Sequence, residues 1–375
     1  MRVLIDLTSL ADNFSGIERY AACLTEQMIK DISVDYILIF KESVHPIFEQ
    51  TVKQKNVNTV VLPRCNKLLF NQIVLPNAIR KITADWYLFL AFPVPVLLFK
   101  KNMVSTIHDI CCWDCPDTMN GMSSIYFRIS HRVALLKCKR IITISKFSER
   151  RIVEKLHYDP NKIWRIYCGV DNKFLNYQSS NYDFSSIKKK YNLPDHYILS
   201  LSTLEPRKNL IVLIKAYSKM LKNGDVTIPL VLAGRTGWKM NQLLDSIDPM
   251  VKDRIIFTGF VDDEDLPSVY GSADVFVFTS MYEGFGMPPL EAAVCGTKVL
   301  SSNSSSLPEV LGDKTSYFEN NDVESLEIEL RNILSCYEQK CEKMYVPEEF
   351  FWEKQGKDLI KKMKDLNYDK ERKTI

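Results

Sequence analysis

Short apolar runs alternate with helix-like patterns along the whole chain. The first series of runs is VLIDL (3–7), DYILIF (35–40), NTVVL (58–62), ADWYLFLAF (84–92), MVSTIHD (103–109), RIITIS (140–145) and IWRIY (163–167). A second series follows with YILSLST (197–203), PLVLAG (229–234), IIFTGF (255–260), VFVFTS (275–280) and TKVLSS (297–302). They are rich in Val, Ile and Phe and do not alternate cleanly with polar residues, as expected of parallel strands covered on both faces. Helical patterns lie between them. One starts near Gly16, and others cover Ser145–Leu156, Asn209–Leu221, Glu264–Tyr270, Leu290–Val294 and Val323–Tyr337. A last amphipathic helix is expected from Glu348 to about Leu366, opening on the aromatic cluster FFWEK. Strand–helix alternation over this length predicts an α/β chain of two doubly wound, Rossmann-like domains facing across a cleft. The expected domains are residues 1–180 and 181–347, with 348–375 as a helix returning to the first. The polar stretch DNKFLNYQSSNYD (171–183) is the natural boundary.

Composition is that of an ordinary globular protein, with 46% apolar and 25% charged residues. The net charge of +3 hides an asymmetry: residues 1–180 hold 24 Lys+Arg against 16 Asp+Glu, and the remainder 25 against 30. A basic first half is expected to face something anionic. The opening MRVLIDLTSL meets Asp6 early and lacks a cleavage site, so it does not read as a signal peptide. The most apolar stretch, WYLFLAFPVPVLLF (86–99), has 14 residues and two prolines, fewer than the roughly 18 apolar residues of a membrane span. It reads as a buried strand and loop. The expectation is a cytoplasmic protein whose ten cysteines are thiols. In HDICCWDCP, Cys112 and Cys115 have C-x-x-C spacing. The only other close pair, Cys336 and Cys341, is wrongly spaced for a zinc ribbon, and Pro116 follows at once, so buried thiols are expected.

In open α/β sheets, ligands bind at the carboxyl ends of the strands. Three strand ends carry chemistry. After YILSLST, the turn LEPRKN places Arg207 and Lys208 where a helix opens. Cations beside the positive end of a helix make electrostatic sense when an anion such as a diphosphate docks there. After VFVFTS comes MYEGFGMPPLEAA. Glu283 lies in the loop, Gly284 and Gly286 permit close backbone approach, and Glu291 is expected in the first helical turn. Two carboxylates so placed suit hydroxyl-rich ligands, a ribose at one and a hexose at the other. After MVSTI come His108 and Asp109. A histidine there serves either as a satisfied structural group or as a cleft residue.

Residues 197–345 resemble the donor-binding domain of the retaining glycosyltransferases with the GT-B fold, the family numbered four. The resemblance is carried by LSTLEPRKN (201–209), LVLAGRTGWK (230–239), residues 257–302 with Glu283-x7-Glu291, and SSLPEVLGD (305–313). In the first half it rests on SGIERYA (15–21), HDI (108–110), ITISKFSE (142–149) and IYCGVD (166–171), and FFWEK fits the family's returning helix. The resemblance implies the following roles. Glu291 would bond the donor ribose. Glu283, with backbone at Phe285, Gly286 and Met287, would hold the transferred sugar. Arg207 and Lys208 would take the diphosphate, with N–H groups near Leu290. Phe260 and Val261 would border the base, with Thr203 at the same strand end as the cations. His108 would touch the donor sugar, and Gly16 would lie under the phosphates. The chain departs from the pattern at Glu18, where many members have a second glycine, and at Thr203, where many have arginine.

The implied reaction is hexosyl transfer with retention. The donor is a nucleotide-diphosphate sugar, GDP-mannose-like ahead of UDP-linked. No D-x-D metal motif stands at a strand end in a donor-like context, so no metal and no cofactor are expected. The implied acceptor is a glycan, linked to polyprenyl diphosphate, in bacterial surface polysaccharide such as O-antigen. Segment 131–155 holds eight Lys+Arg against two Glu. It reads either as a solvated helix face or as a patch against anionic phospholipid on the inner face of the plasma membrane. It lacks interleaved stacking aromatics, so nucleic acid is not expected as a partner. The competing readings are a non-catalytic nucleotide-sugar binder and another GT-B enzyme such as an epimerase. A dinucleotide oxidoreductase is disfavoured because no G-x-G-x-x-G follows the first strand.

Overall fold

The computed structural model describes residues 1–11, 14–66, 69–245, 247–335 and 343–372. The chain divides into two compact units. The first comprises Met1–Trp113, Met122–Gly169 and the chain from Pro347 onward; the second comprises Asp114–Gly121 and Val170–Val346.

The first unit holds seven strands: β1 (Arg2–Asp6), β2 (Asp35–Lys41), β3 (Val57–Leu62), β4 (Trp86–Phe89), β5 (Met103–Thr106), β6 (Arg140–Thr143) and β7 (Ile163–Arg165). All pair in parallel in the order β3-β2-β1-β4-β5-β6-β7. The second unit holds β8 (Ile198–Leu201), β9 (Leu230–Ala233), β10 (Ile255–Gly259), β11 (Val275–Phe278), β12 (Lys298–Ser302) and β13 (Ser316–Phe318) in the parallel order β10-β9-β8-β11-β12-β13. In both sheets the strand order reverses at one point, between β1 and β4 and between β8 and β11, which marks where such sheets bind ligands.

The continuous apolar runs become central strands with every residue buried, as in β4, β5, β9 and β11. The edge strands β3 and β10 expose several positions, Asn58, Thr59 and Val61 in the first and Phe257 and Gly259 in the second. That contrast is the expected one, because only interior strands of a covered sheet lose solvent on both faces. Strand β13 was not expected; its three residues, SYF, are too short for a periodic signal.

The helices that bear on the sites are α1 (Gly16–Ile29), α2 (Gly121–Lys137), α3 (Lys146–Leu156), α4 (Leu210–Asn223), α5 (Leu266–Gly271), α6 (Met287–Val294) and α7 (Val323–Ser335). The expected helix to Tyr337 is described as far as Ser335, and Cys336 and Cys341 lie outside the described residues. Segment 131–155 is not a single helix face: it is the end of α2, then β6, then most of α3. Helix α2 itself was not among the expected helices.

The last helix, Trp352–Arg372, rejoins the first unit. Trp352 stands edge-on to Tyr20 of α1 at 5.8 Å, and Phe350 edge-on to Tyr167 at 5.2 Å. The backbone N–H of Tyr167 donates to Gln355 Oε1 at 2.8 Å, and Lys364 reaches Asp31 at 2.8 Å. The FFWEK aromatics thus have their packing surface. Among the described residues, the eight cysteines are not joined in disulfides; Cys111 and Cys112 are buried and Cys115 is half-buried. No helix among them is long and apolar enough to cross a membrane.

Candidate functional site

The second unit gathers its polar groups at its own reversal point. The chain after β8 forms a 3-10 turn over Pro206–Lys208, and Asn209 adopts a left-handed conformation with φ +52° before α4 begins at Leu210. The turn is pinned beside β11 by Thr279 Oγ1 donating to Lys208 O at 2.7 Å and by Met281 N–H donating to Arg207 O at 2.9 Å. Arg207 and Lys208 are thereby brought to the loop that follows β11.

The anion that answers these cations belongs to the protein. Lys208 Nζ lies 2.5 Å from Glu283 Oε1, and Arg207 Nη1 lies 3.3 Å from Glu283 Oε2 and 2.9 Å from Tyr282 O. Arg207 is also held by Glu205 at 3.1 Å. Glu283 is buried. Burial alone would raise its pKa, but the Lys208 and Arg207 charges outweigh it and hold the carboxyl down to about 2. Burial pushes the Lys208 ammonium down, with Glu283 opposing that shift. The group is a buried, ionised carboxylate whose two oxygens face different cations.

The Glu283 loop is fixed by serines after β12. Glu283 N–H donates to Ser305 Oγ at 2.9 Å, and Ser306 Oγ bridges the carbonyls of Glu283 at 3.0 Å and Phe285 at 2.9 Å. Ser305 itself sits at φ +54°, a region that non-glycine residues enter at a cost. Gly286 is required where it stands. Its φ is +100°, and a Cβ there would meet Leu307 Cδ2 at 2.5 Å. Helix α6 then starts at Met287, with Pro288 and Pro289 in its first turn. Prolines fit a first turn because those N–H groups have no partner within the helix. Met287 and Leu290 therefore carry the N–H groups of that turn.

Glu291 is the fifth residue of α6, not a first-turn residue as expected, because the prolines start the helix instead of preceding it. Buried, it accepts a hydrogen bond from Tyr270 Oη of α5 at 3.0 Å.

The ends of β8, β9 and β10 are tied together. Leu204 N–H donates to Arg235 O at 2.9 Å, and Gly234 N–H to Gly259 O at 2.8 Å. Gly234, at φ +129°, passes so close to β8 that a Cβ would lie 1.9 Å from Ser202 O. On this base Phe260 is exposed, Val261 is buried and Thr203 is exposed. The Arg235 guanidinium stacks over the Phe260 ring at 4.6 Å.

Two of the expected site residues lie in the first unit, at its own reversal point. Gly16 opens α1 after β1, next to Ser15, whose N–H donates to Glu18 Oε2 at 2.7 Å. Glu18 is the reciprocal arm of a capping box, which gives this position a local role in place of a second glycine. His108 follows β5, and its Nε2 lies 3.0 Å from Leu90 O at the end of β4. Tyr20 stands edge-on at 5.1 Å. Burial brings the imidazole pKa down to about 4, against the opposing pull of Asp109. It is neutral at pH 7, and Nε2–H donates to Leu90 O.

Sequence reasoning missed Tyr270, Ser305, Ser306 and Arg235. The serines stood in the quoted SSLPEVLGD stretch without a role, and Arg235 in LVLAGRTGWK. Tyr270 had no local signal, since its partner is 21 residues away. Among the described residues, no group of three or more His, Cys, Asp or Glu side chains is placed to hold a metal ion.

The family model for glycosyl transferases group 1 matches residues 183–346, and that for glycosyltransferase family 4 matches residues 14–174. The chain belongs to these glycosyltransferases. O-antigen chain mannosyltransferase B of Escherichia coli is 34% identical over 228 residues, 60% of this chain and 59% of its own length. Serotype-specific mannosyltransferase WbdA of Escherichia coli is 37% identical over 190 residues, 50% of this chain and 23% of its own length. The chain thus spans less than two thirds of these curated relatives. The crystal structure of Anabaena Alr3699/HepE in complex with UDP and glucose superposes with a TM-score of 0.73 at 15% identity, covering 97% of this chain and 100% of that one. That likeness is one of fold, the GT-B pairing of Rossmann-like sheets.

Proposed function

We propose that the protein is a retaining mannosyltransferase of bacterial surface polysaccharide assembly. It takes a hexose from a nucleotide-diphosphate sugar, GDP-mannose ahead of a UDP-sugar, and passes it to a lipid-linked glycan. The observation that carries this reading is the ionised Glu283 held between Lys208 and Arg207 at the reversal point, with Glu291 anchored to Tyr270. The mannosyltransferase names of the O-antigen relatives support the choice of sugar.

In this reading Glu291 accepts from the ribose hydroxyls and Glu283 from the hydroxyls of the sugar. Backbone at Phe285, Gly286 and Met287 lines the sugar. The negative charge that develops on the leaving diphosphate is met by Arg207, Lys208 and the Leu290 N–H, so no metal ion is required. Thr203 and the Arg235–Phe260 stack follow the ends of β8, β9 and β10, and in this reading the base rests on that stack next to Val261. His108 contributes a neutral imidazole toward the donor sugar, and Gly16 leaves room for the phosphates. A neutral histidine hydrogen-bonds a hydroxyl without drawing charge from the cations. The acceptor oxygen bonds to the anomeric carbon on the face from which the phosphate oxygen departs and gives its proton to that phosphate, and this same-face exchange retains the anomeric configuration.

The test is calorimetric titration of the whole protein with GDP, UDP and ADP, repeated on Glu291→Ala. GDP is expected to bind and the variant to lose at least tenfold in affinity. If none of the nucleotides bound, or the variant bound equally well, the donor-site reading would fail. Turnover that collapsed in a chelator and returned with Mn²⁺ would overturn the metal-free mechanism.

A further inference from the structure

The loop VDDED (261–265) runs from the end of β10, past Phe260, to the start of α5. Side chains from far along the chain hold it. Lys173, of the short helix Asn172–Leu175, donates to Asp263 Oδ2 at 2.6 Å and to Asp263 O at 2.9 Å. Lys190 and Tyr191 are the last residues of the helix Phe184–Tyr191. Lys190 Nζ donates to Asp262 Oδ2 at 2.6 Å and to Asp265 Oδ2 at 2.7 Å. The hydroxyl of the buried Tyr191 makes two bonds. It accepts the Asp262 N–H at 3.0 Å and donates to Asp265 Oδ2 at 2.7 Å.

Asp265 gives up a local bond for this distant one. It stands directly before α5, where an aspartate ordinarily turns its carboxylate onto the first N–H groups of the helix. No side-chain cap bond forms there, and Oδ2 faces Tyr191 and Lys190 instead. Tyr191 thereby reaches two places in the donor site. The Asp262 N–H belongs to the planar peptide that joins it to Val261, so the hydroxyl sets the orientation of that peptide beside the Phe260 ring. Through Asp265 it also fixes the entry of α5. Little more than one turn later α5 carries Tyr270, whose hydroxyl donates to Glu291 at 3.0 Å. The far end of this helix is pinned as well: Tyr197 Oη donates to Val269 O at 2.8 Å, and Thr297 Oγ1 to Tyr270 O at 2.6 Å. A short helix held at both ends passes a displacement of its entry on to Tyr270.

Resting on the donor-site reading above, we propose that Tyr191 is the positioning residue for the nucleoside half of that site. It acts through other groups: through the Val261–Asp262 peptide on the base, and through α5 and Tyr270 on the ribose glutamate. The diphosphate half is held separately. Arg207 and Lys208 are fixed by Thr279, Met281 and Glu283, none of which Tyr191 bonds. Loss of the Tyr191 hydroxyl is therefore felt by base and ribose and not by the phosphates.

Calorimetric titration of the full chain tests this with two probes, inorganic pyrophosphate and the nucleotide that binds, expected to be GDP. Tyr191→Phe keeps the ring and deletes two hydrogen bonds. It is expected to weaken the nucleotide about tenfold and to leave pyrophosphate within about twofold of the wild type. A role in stability alone would weaken both probes or neither. Lys190→Gln changes an exposed side chain that the fold tolerates, and is expected to weaken the nucleotide about threefold with pyrophosphate unchanged. The proposal is overturned if Tyr191→Phe binds the nucleotide as tightly as the wild type, or weakens both probes alike. Where Tyr191→Phe fails to fold, wild-type nucleotide affinity in Lys190→Gln overturns it. Glu291→Ala separates the two levels. If it loses the nucleotide while Tyr191→Phe does not, only the role of Tyr191 falls. If the wild type binds no nucleotide, or Glu291→Ala binds it equally well, the donor-site reading falls and this role with it.

Discussion

Near the reversal point of the first sheet stands His108; at that of the second stands Glu283. His108 is half-buried and Glu283 is buried, and desolvation pushes each toward its neutral form. They end in opposite states. His108 meets a backbone carbonyl and an aromatic edge, with Asp109 opposing burial only in part, and it stays neutral. Glu283 meets two cations within 3.3 Å and stays charged. His131, buried next to the Cys112 thiol, follows His108, its pKa brought down to about 4. One topology therefore supports two electrostatic designs, and the decisive factor is whether a full counter-charge is buried with the group.

The sharpest way to break this comparison is to remove a partner in each unit. Lys208→Met leaves Glu283 buried with only Arg207, and the expected cost is about 3–5 kcal/mol in chemical denaturation. Glu283→Gln together with Lys208→Met should recover at least half of that. His108→Leu forfeits one neutral hydrogen bond, about 1–2 kcal/mol. Equal costs in the two units would mean that the charges are not what distinguishes them.

Acid should separate the units next. The folded pKa values of His108 and His131 lie below the ordinary 6.5, so their contribution is full above pH 6.5 and is lost as pH falls toward 4. Glu283 also lies below its ordinary 4.5, so its contribution, about 3 kcal/mol, is lost only as pH falls from 4.5 toward 2. Hydrogen exchange followed from pH 7 to pH 3 should show the first unit opening earlier. Simultaneous loss of protection would contradict the assignment.

The smallest effect concerns Glu291. Tyr270→Phe removes its hydrogen bond, with an expected stability loss of about 1 kcal/mol and nucleotide affinity a few-fold weaker. Unchanged affinity would detach Tyr270 from the site.

Much of this was legible along the chain. The continuous apolar runs declared parallel strands, and strand-end logic found Arg207, Lys208, Glu283 and His108 before any coordinates. Gly286 was singled out along the chain only as a place of close backbone approach; its positive φ and its closeness to Leu307 came with the fold. The direction of α2 was not legible. Periodicity marks a stripe without saying whether the core or the solvent receives it, and the inward side of α2 combines hydrogen bonds to Cys112 with packing of Val133, Ala134 and Leu135 against the core. Nor was it legible that the anion beside Arg207 and Lys208 would be the protein's own.

Residue order alone thus settled the alternation of elements, the two parallel sheets and the loops where chemistry gathers, because these follow from local period and from strand-end geometry. The pairing of Lys208 with Glu283 across 75 positions, of Tyr270 with Glu291, and of Lys137 with Phe99 came from folding. Local pattern sets the shape of a segment, but partners distant in the chain meet only when the sheet order brings two strand ends together. Whether a buried group is charged then depends on which partner that order supplies.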